Sequence, residues 1–329
     1  MSRGTTGCWT RKREILALPA MSEAADPTTP NPTPTPHPGL AYLMAALPPL
    51  FWSGNFLVAR IMRDQIPPIQ MSLWRWVLAF LILAPFAARE INAHRARLRT
   101  ELPFLIVLGG VGITAFNCFI YAALHDTTVV NAALINTLMP VFTFVLAALI
   151  LRETLGPKRI LGVGVAFIGA ALIIIRGDLG GIGQLALNRG DLLVVAGLAF
   201  WALYTVLIRW RPTRLPILLF LAVTIGFGII IHLPFVAWEV LVTGTFTPNA
   251  SSLAALAYFA LFPSIFAYIF WNKAVATLGP GRTGMFMYLM PVFSSVLGIA
   301  VLNEEFHVYH GAGIALIFAG IAFVTRKAR

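Results

Sequence analysis

Residues 138–153 read LMPVFTFVLAALILRE, and residues 289–304 read LMPVFSSVLGIAVLNE. Sliding the chain by 151 residues without gaps lays 138–174 over 289–325, with about thirteen identities in thirty-seven positions. Chance similarity between Leu- and Val-rich segments explains Leu and Val matches. It does not explain Pro140 over Pro291, Glu153 over Glu304, and Gly162 and Gly169 over Gly313 and Gly320 in one register. Upstream, an offset of 149 places Trp52 and Arg60 over Trp201 and Arg209. The chain reads as a duplicated unit.

The unit belongs in lipid. Only 11% of the 329 residues are charged, against about a quarter in a soluble domain. Hydrophobic residues make up 58%, and the mean hydropathy is +0.82. Ten apolar runs lie between charged or Gly/Pro breaks: 40–59, 69–88, 102–123, 128–150 and 159–175, then 190–208, 215–238, 252–273, 282–302 and 309–325. About 18 apolar residues cross a bilayer, so the expected fold is an all-α polytopic membrane protein of ten transmembrane helices. The pI near 10.4 would suit a nucleic-acid binder. Here, however, Lys and Arg cap the spans, where topology determinants belong, and the expected partner is the lipid bilayer, with no nucleic acid.

Charge sets the orientation. With the N-terminus inside, the inner loops and tails hold 19 Lys and Arg. The outer loops hold four, Arg60, Arg63, Arg176 and Arg189, and Arg75 lies within a span. Cytoplasmic loops are Lys/Arg-rich, so both termini are expected in the cytoplasm and the chain in the inner (cytoplasmic) membrane. Five spans per half is odd, so the second half enters upside down. Glu153 then falls inside among Arg152, Lys158 and Arg159, while Glu304 falls outside beside Glu305, His307 and His310. Inverted repeats are the architecture of secondary transporters, with the site near the midplane between the halves.

The expected organisation is a disordered Pro/Thr-rich cytoplasmic tail (1–39), a first five-helix repeat (40–175), a linker (176–189), a second repeat (190–325) and a basic C-terminus (326–329). In the tail, Arg11-Lys12-Arg13-Glu14 is followed by only six apolar residues, ILALPA, short of a signal-peptide core of about 7–15. The tract TTPNPTPTPHP cannot pack. Met21 is an alternative start.

The stretch 119–174, FIYAALHDTTVVNAALINTLMPVFTFVLAALILRETLGPKRILGVGVAFIGAALII, resembles the EamA domain of the drug/metabolite transporter superfamily. Residues 268–324 resemble a second copy, and the similarity spans about 40–325. The motifs that carry it are Trp52-Ser53-Gly54-Asn55-Phe56, the Leu-Met-Pro-Val-Phe turn, the Glu after it and the Gly-spaced closing helix. The resemblance implies two inverted five-helix EamA repeats moving small metabolites, often amino acids, usually outward. The alternatives are multidrug or toxic-compound efflux and a non-transport membrane protein such as a receptor. One departure stands out: Phe200-Trp201-Ala202-Leu203-Tyr204 lacks the Ser-Gly-Asn of the first copy, which puts a symmetric polar pair across the site in doubt.

Candidate cavity residues follow from polarity inside spans: Trp52, Asn55, Arg75, Asn117, Tyr121, Asn131, Asn136, Tyr204, Tyr268, Trp271, Asn272 and Tyr288. Each also has a structural reading. Asn glues helices together, and Tyr and Trp anchor interfaces. For Arg75 two readings stand: snorkelling to the outer interface toward Asp64, or a cavity-facing cation that meets a substrate carboxylate. Pro140 and Pro291 are expected to kink their spans, as packing devices or as hinges at the repeat interface. Glu153 and Glu304 read as helix-end caps that pair with local cations, or as gates.

All thirteen Asp and Glu fall in tails, loops or helix ends, and His232 is the internal titrator, near the outer end of its span. That pattern points to facilitated or exchange transport rather than carboxylate-gated proton coupling. No metal, cofactor or enzymatic activity is expected, since no HExxH run or Cys/His cluster occurs and the two cysteines, Cys8 and Cys118, lie far apart. Small residues at three- and four-residue spacing, Gly162, Ala166, Gly169 and Ala170, then Ala312, Ala315, Ala319 and Ala322, are expected to pack the last helix of each half. The chain is expected to be a monomer, with a homodimer as the alternative.

Overall fold

The computed structural model describes residues 38–62, 64–123, 126–127, 129–154, 156–178, 180, 188–302 and 305–325. The expectations for residues 1–37, Glu304 and the C-terminus 326–329 lie outside the described residues, as do those for Arg60, Arg63 and most of the linker as side chains or segments.

The chain is helical from α1 (Pro38–Met62) to α13 (Val308–Thr325). Between them come α2 (Pro68–Leu108), a π-helical turn (Gly109–Ala115), α3 (Phe116–Ala123), α4 (Val129–Asn136), α5 (Met139–Leu151) and α6 (Pro157–Ile174). The second half has α7 (Arg189–Trp210), α8 (Ile217–Thr243), α9 (Ala250–Phe259), a second π-helical turn (Ala260–Phe266), α10 (Ala267–Leu278), α11 (Pro280–Gly284), a 3-10 turn (Met285–Tyr288) and α12 (Leu289–Leu302). The starts follow sequence chemistry. Proline opens α2, α5 and α6, where a missing N–H costs nothing. Reciprocal capping boxes open α7 (Asn188 with Asp191) and α9 (Asn249 with Ser252), satisfying free backbone donors.

Nine helical stretches among the described residues are long and apolar enough to cross a membrane. The difference from ten lies in Pro68–Ile120, counted as one stretch of 53 residues. The loop expected at 89–101 is helical throughout. The stretch nevertheless doubles back, because Arg75 Nη2 lies 3.1 Å from Asn117 Oδ1, 42 positions on. A straight helix at 1.5 Å per residue would separate them by about 63 Å. Near the bend, Arg97 donates to the Arg214 carbonyl at 3.1 Å and the Thr213 hydroxyl bonds Glu101.

Helix pairing repeats between the halves. α1 packs against α10 and α12, and α7 packs against α3 and α5. α6 and α13 cross antiparallel and very close. A Cβ on Gly162 would lie 2.7 Å from the Gly320 carbonyl oxygen, and one on Gly169 would lie 2.6 Å from that of Gly313. Glycine alone permits this approach. The expected small-residue face of α13 is corrected here. Ala312, Ala315 and Ala319 are exposed, and the packed face is Gly313, Ile317 and Gly320. Alanine spacing alone could not tell one helix face from the next.

The two π-helical turns occupy one place in the repeat. Adding 151 to 109 and 115 gives 260 and 266, the bounds of the second turn. Pro263, which has no N–H to donate, lies in the second, while the first contains Gly109, Gly110 and Gly112. Both spans that carry Leu-Met-Pro-Val-Phe are interrupted where it begins, the first at Thr137–Leu138 and the second at Met285–Tyr288. Pro140 and Pro291 therefore stand in the first turn of a new helix, not in the middle of one. The break spares them the clash with a preceding turn.

Candidate functional site

Five helices bring the polar and aromatic candidates together. From α1, Trp52 donates through Nε1 to the Pro263 carbonyl at 3.0 Å, inside the second π-helical turn. Asn55 lies one turn on and accepts from Arg75 Nη1 at 3.3 Å. From α2, Arg75 is 6% exposed, and its Cζ sits 4.7 Å from the Trp76 ring centroid. Its second Nη bonds Asn117 of α3, whose own Nδ2 donates back to the Ile113 carbonyl at 2.6 Å. Arg75 is thus buried between two neutral amides and an aromatic ring. Its head group is turned to Asn55 and Asn117 and stacked on Trp76, which offsets part of the cost of a buried cation.

From α7 and α10 come the aromatic groups. Trp201, not among the sequence candidates, is the hub. Its ring lies 5.0 Å from Trp52, 5.3 Å from Phe116, 5.5 Å from Tyr204, 5.5 Å from Tyr268 and 5.8 Å from Trp271. Tyr268 also meets Trp76 edge-on at 5.2 Å and donates to the Gly112 carbonyl at 2.8 Å, inside the first π-helical turn. Each π-helical turn thus offers a backbone carbonyl to an aromatic donor, Gly112 to Tyr268 and Pro263 to Trp52. Asn272 Nδ2 donates to the Tyr204 hydroxyl at 3.0 Å and to the Tyr268 carbonyl at 2.7 Å, and Trp271 Nε1 donates to Thr205 Oγ1 at 3.1 Å. Gly112 admits the Tyr204 ring, since a Cβ there would lie 2.3 Å from ring carbon Cδ2.

The missing Ser-Gly-Asn of the second copy now has a chemical outcome. At the offset of 149 Tyr204 stands where Asn55 stands, and at 151 Tyr268 stands where Asn117 stands. The two amides that hold Arg75 are replaced by two phenols, whose rings lie 5.8 Å apart. The centre is built from equivalent positions but is chemically asymmetric, cationic and amide-rich on one side and aromatic on the other.

Not every candidate joins this centre. Tyr288 is buried in another cluster, with Phe144 and Met285. Asn136 is half-buried at the end of α4, before the Thr137–Leu138 turn. The side chains of Tyr121 and Asn131 lie outside the described residues. Trp76 and Trp201 escaped the sequence reading. Trp201 carried a signal in its register with Trp52, and Trp76 in its place beside Arg75.

Two acidic groups sit differently from expectation or close to it. Glu239, placed just past the seventh span by the sequence, lies within α8 and is 3% exposed. Its Oε1 and Oε2 accept from Ile69 N at 3.0 Å and Gln70 N at 2.8 Å, capping α2 from a neighbouring helix. Glu153 lies 3.7 Å from Arg159, in line with a local ion pair.

With this geometry in view, the comparisons decide the family. The model of the EamA-like transporter family matches residues 39–175 and again 188–326. This chain belongs to the EamA-like transporter family. Among similar proteins, the "Uncharacterized transporter YyaM" of Bacillus subtilis is 30% identical over 289 residues, covering 85% of this chain and 92% of its own. A "Probable terminal-alkyne amino-acid exporter" of Streptantibioticus cattleyicolor is 28% identical, covering 84% and 90%. A solved structure superposes with a TM-score of 0.70 at 22% identity, covering 87% of this chain and 96% of that one, which supports the fold. The EamA-like protein is accordingly a multi-pass membrane protein whose relatives are named transporters.

Proposed function

We propose that this EamA-like protein is a secondary transporter exporting small organic metabolites, amino acids or related solutes, across the cytoplasmic membrane by alternating access. The reading takes Pro68–Ile120 as two spans, giving ten, with two five-helix repeats (40–175 and 190–325) inverted about a shared axis and both termini cytoplasmic. Support for the inversion comes from the α6–α13 crossing. Gly162 corresponds to Gly313 and Gly169 to Gly320, yet Gly162 meets Gly320 and Gly169 meets Gly313. That exchange is the signature of a two-fold axis perpendicular to two antiparallel helices, which turns one helix over onto the other.

The observation that carries the transport reading is the shared centre, where Arg75, held by Asn55 and Asn117, stacks on Trp76, whose ring meets Tyr268 of the other half, itself packed on Trp201 and Tyr204. A site on the seam of two halves is opened to either side by rocking one half against the other. The π-helical turns and the interrupted spans are the places where backbone geometry can adjust during such motion. The hinge role belongs there, with Pro140 and Pro291 marking where the new helix starts. Multidrug efflux remains the second reading, favoured by the aromatic lining, but a buried guanidinium repels cationic drugs.

Proteoliposomes containing the purified chain test this. Counterflow of labelled amino acids or related metabolites is expected, and it should fall at least tenfold in Trp201→Ala. Absence of counterflow for every small metabolite offered, with cationic drugs moving instead, would sink the metabolite reading in favour of drug efflux.

A further inference from the structure

We propose that Arg75 binds the carboxylate of the transported solute, so that the carboxylate is the group the site requires and an amino group is dispensable. The inference rests on the transport reading above and names its substrate class.

Buried side-chain atoms without a hydrogen-bond partner are unevenly placed among the described residues. Eight such atoms lack one, His232 Nε2, Arg282 Nε and Tyr288 Oη among them, and the remaining five are Ser72 Oγ, Arg75 Nε, Trp76 Nε1, Trp201 Nε1 and Ser264 Oγ. They share a neighbourhood. Ser72, Arg75 and Trp76 lie on one face of α2, at spacings of three and four. Ser264 stands one turn before Tyr268, whose ring meets Trp76 at 5.2 Å and Trp201 at 5.5 Å. Native proteins leave few such groups unsatisfied, and a cluster of them calls for an explanation.

The chemistry of the cluster is one-sided. Arg Nε–H and Trp Nε1–H can only donate, and a serine hydroxyl can donate as well as accept. The occupant must therefore bring acceptors. It must also bring negative charge, because the Arg75 guanidinium is bonded to two neutral amide oxygens. The Glu239 carboxylate faces the α2 N-terminus six residues earlier, with both oxygens engaged by backbone N–H groups. One fixed cation with a free Nε edge matches a singly charged, planar, two-oxygen acceptor. A phosphate dianion would leave charge uncompensated beside a single arginine. The Trp52, Trp201, Tyr268 and Trp271 rings then receive an apolar or aromatic remainder.

Among the described residues, the groups that bond, stack on or interact electrostatically with the guanidinium are Asn55, Asn117, Trp76, His232 and Tyr268, none of them a carboxylate that could meet an ammonium group. Recognition on this account does not depend on the α-amino group of an amino acid.

The test is a titration of intrinsic tryptophan fluorescence in the purified full chain, with 3-phenylpropionate, its amide, phenylalanine and 3-phenylpropylphosphonate as probes. The acid is expected to bind at least tenfold tighter than the amide and within threefold of phenylalanine. Arg75→Gln is expected to abolish the acid–amide difference, and Arg75→Lys to keep part of it. Should Arg75→Gln fail to fold, Asn117→Asp serves instead, since a carboxylate placed on Arg75 should cancel the preference. Equal affinity for acid and amide, no binding of either, or a preference for the phosphonate would each overturn the proposal. Counterflow in proteoliposomes is read separately. Flux of neutral solutes without preference for acids defeats the carboxylate site and leaves transport standing, whereas acid-selective binding with no flux of any solute defeats transport and leaves the site.

Discussion

Gly162 and Gly320 meet across the α6–α13 crossing so closely that a Cβ on Gly162 would stand 2.7 Å from the Gly320 carbonyl oxygen, and one on Gly320 would stand 2.5 Å from that of Gly162. The contact is mutual, and its partner pair, Gly169 and Gly313, repeats it about two turns away. Backbone against backbone cannot be relieved by turning a side chain. Gly320→Ala is therefore expected to destabilise the protein by about 1–3 kcal/mol, the usual cost of overpacking. Gly164→Ala is the matched control on α6, where an added Cβ meets nothing within 4 Å. Thermal unfolding in detergent should show a clear loss for the first and none for the second.

The first π-helical turn makes a separate prediction. Gly112 is the place where the Tyr204 ring enters and where Tyr268 finds its acceptor. Gly112→Ala drives a methyl group into the ring face. Flux in proteoliposomes should fall more than tenfold, and the emission of Trp201, which packs on both tyrosines, should shift. Unchanged flux would remove the first π-helical turn from the mechanism.

How much of this was legible in the sequence depends on what each signal measures. Duplication and apolar runs located most of the helices because they rest on whole segments, although 89–101, read as a loop, is helical. Helix faces were harder to find. Ala312, Ala315 and Ala319 have the right spacing for packing, but Gly313 and Gly320, one position along, make the contact. The candidate centre was partly legible. Arg75, Asn55 and Asn117 announced themselves as polar groups in lipid, whereas Trp76 and Trp201 looked like ordinary apolar residues until their rings were placed around Tyr268. Neither π-helical turn has a pattern in hydrophobicity.

Glu239 carries the third prediction. Its carboxylate caps the α2 N-terminus, an arrangement that combines charge-assisted hydrogen bonds with the helix dipole. Glu239→Ala leaves two buried N–H groups bare and should cost about 1–3 kcal/mol. Glu239→Gln keeps one acceptor oxygen and should lose less. Thermal unfolding of the two variants checks the order, and equal stability of Glu239→Ala and wild type would show that the cap contributes nothing.

The central claim is that one unit lies in the membrane twice, once inverted. Cysteine accessibility in intact cells addresses it directly, in a chain with Cys8→Ser and Cys118→Ser. Lys158→Cys, after the first Leu-Met-Pro-Val-Phe helix, and Glu305→Cys, after the second, are each exposed to a membrane-impermeant maleimide. The account predicts labelling of Glu305→Cys from outside and of Lys158→Cys only after the cells are opened. Labelling of both positions from the same side would contradict it.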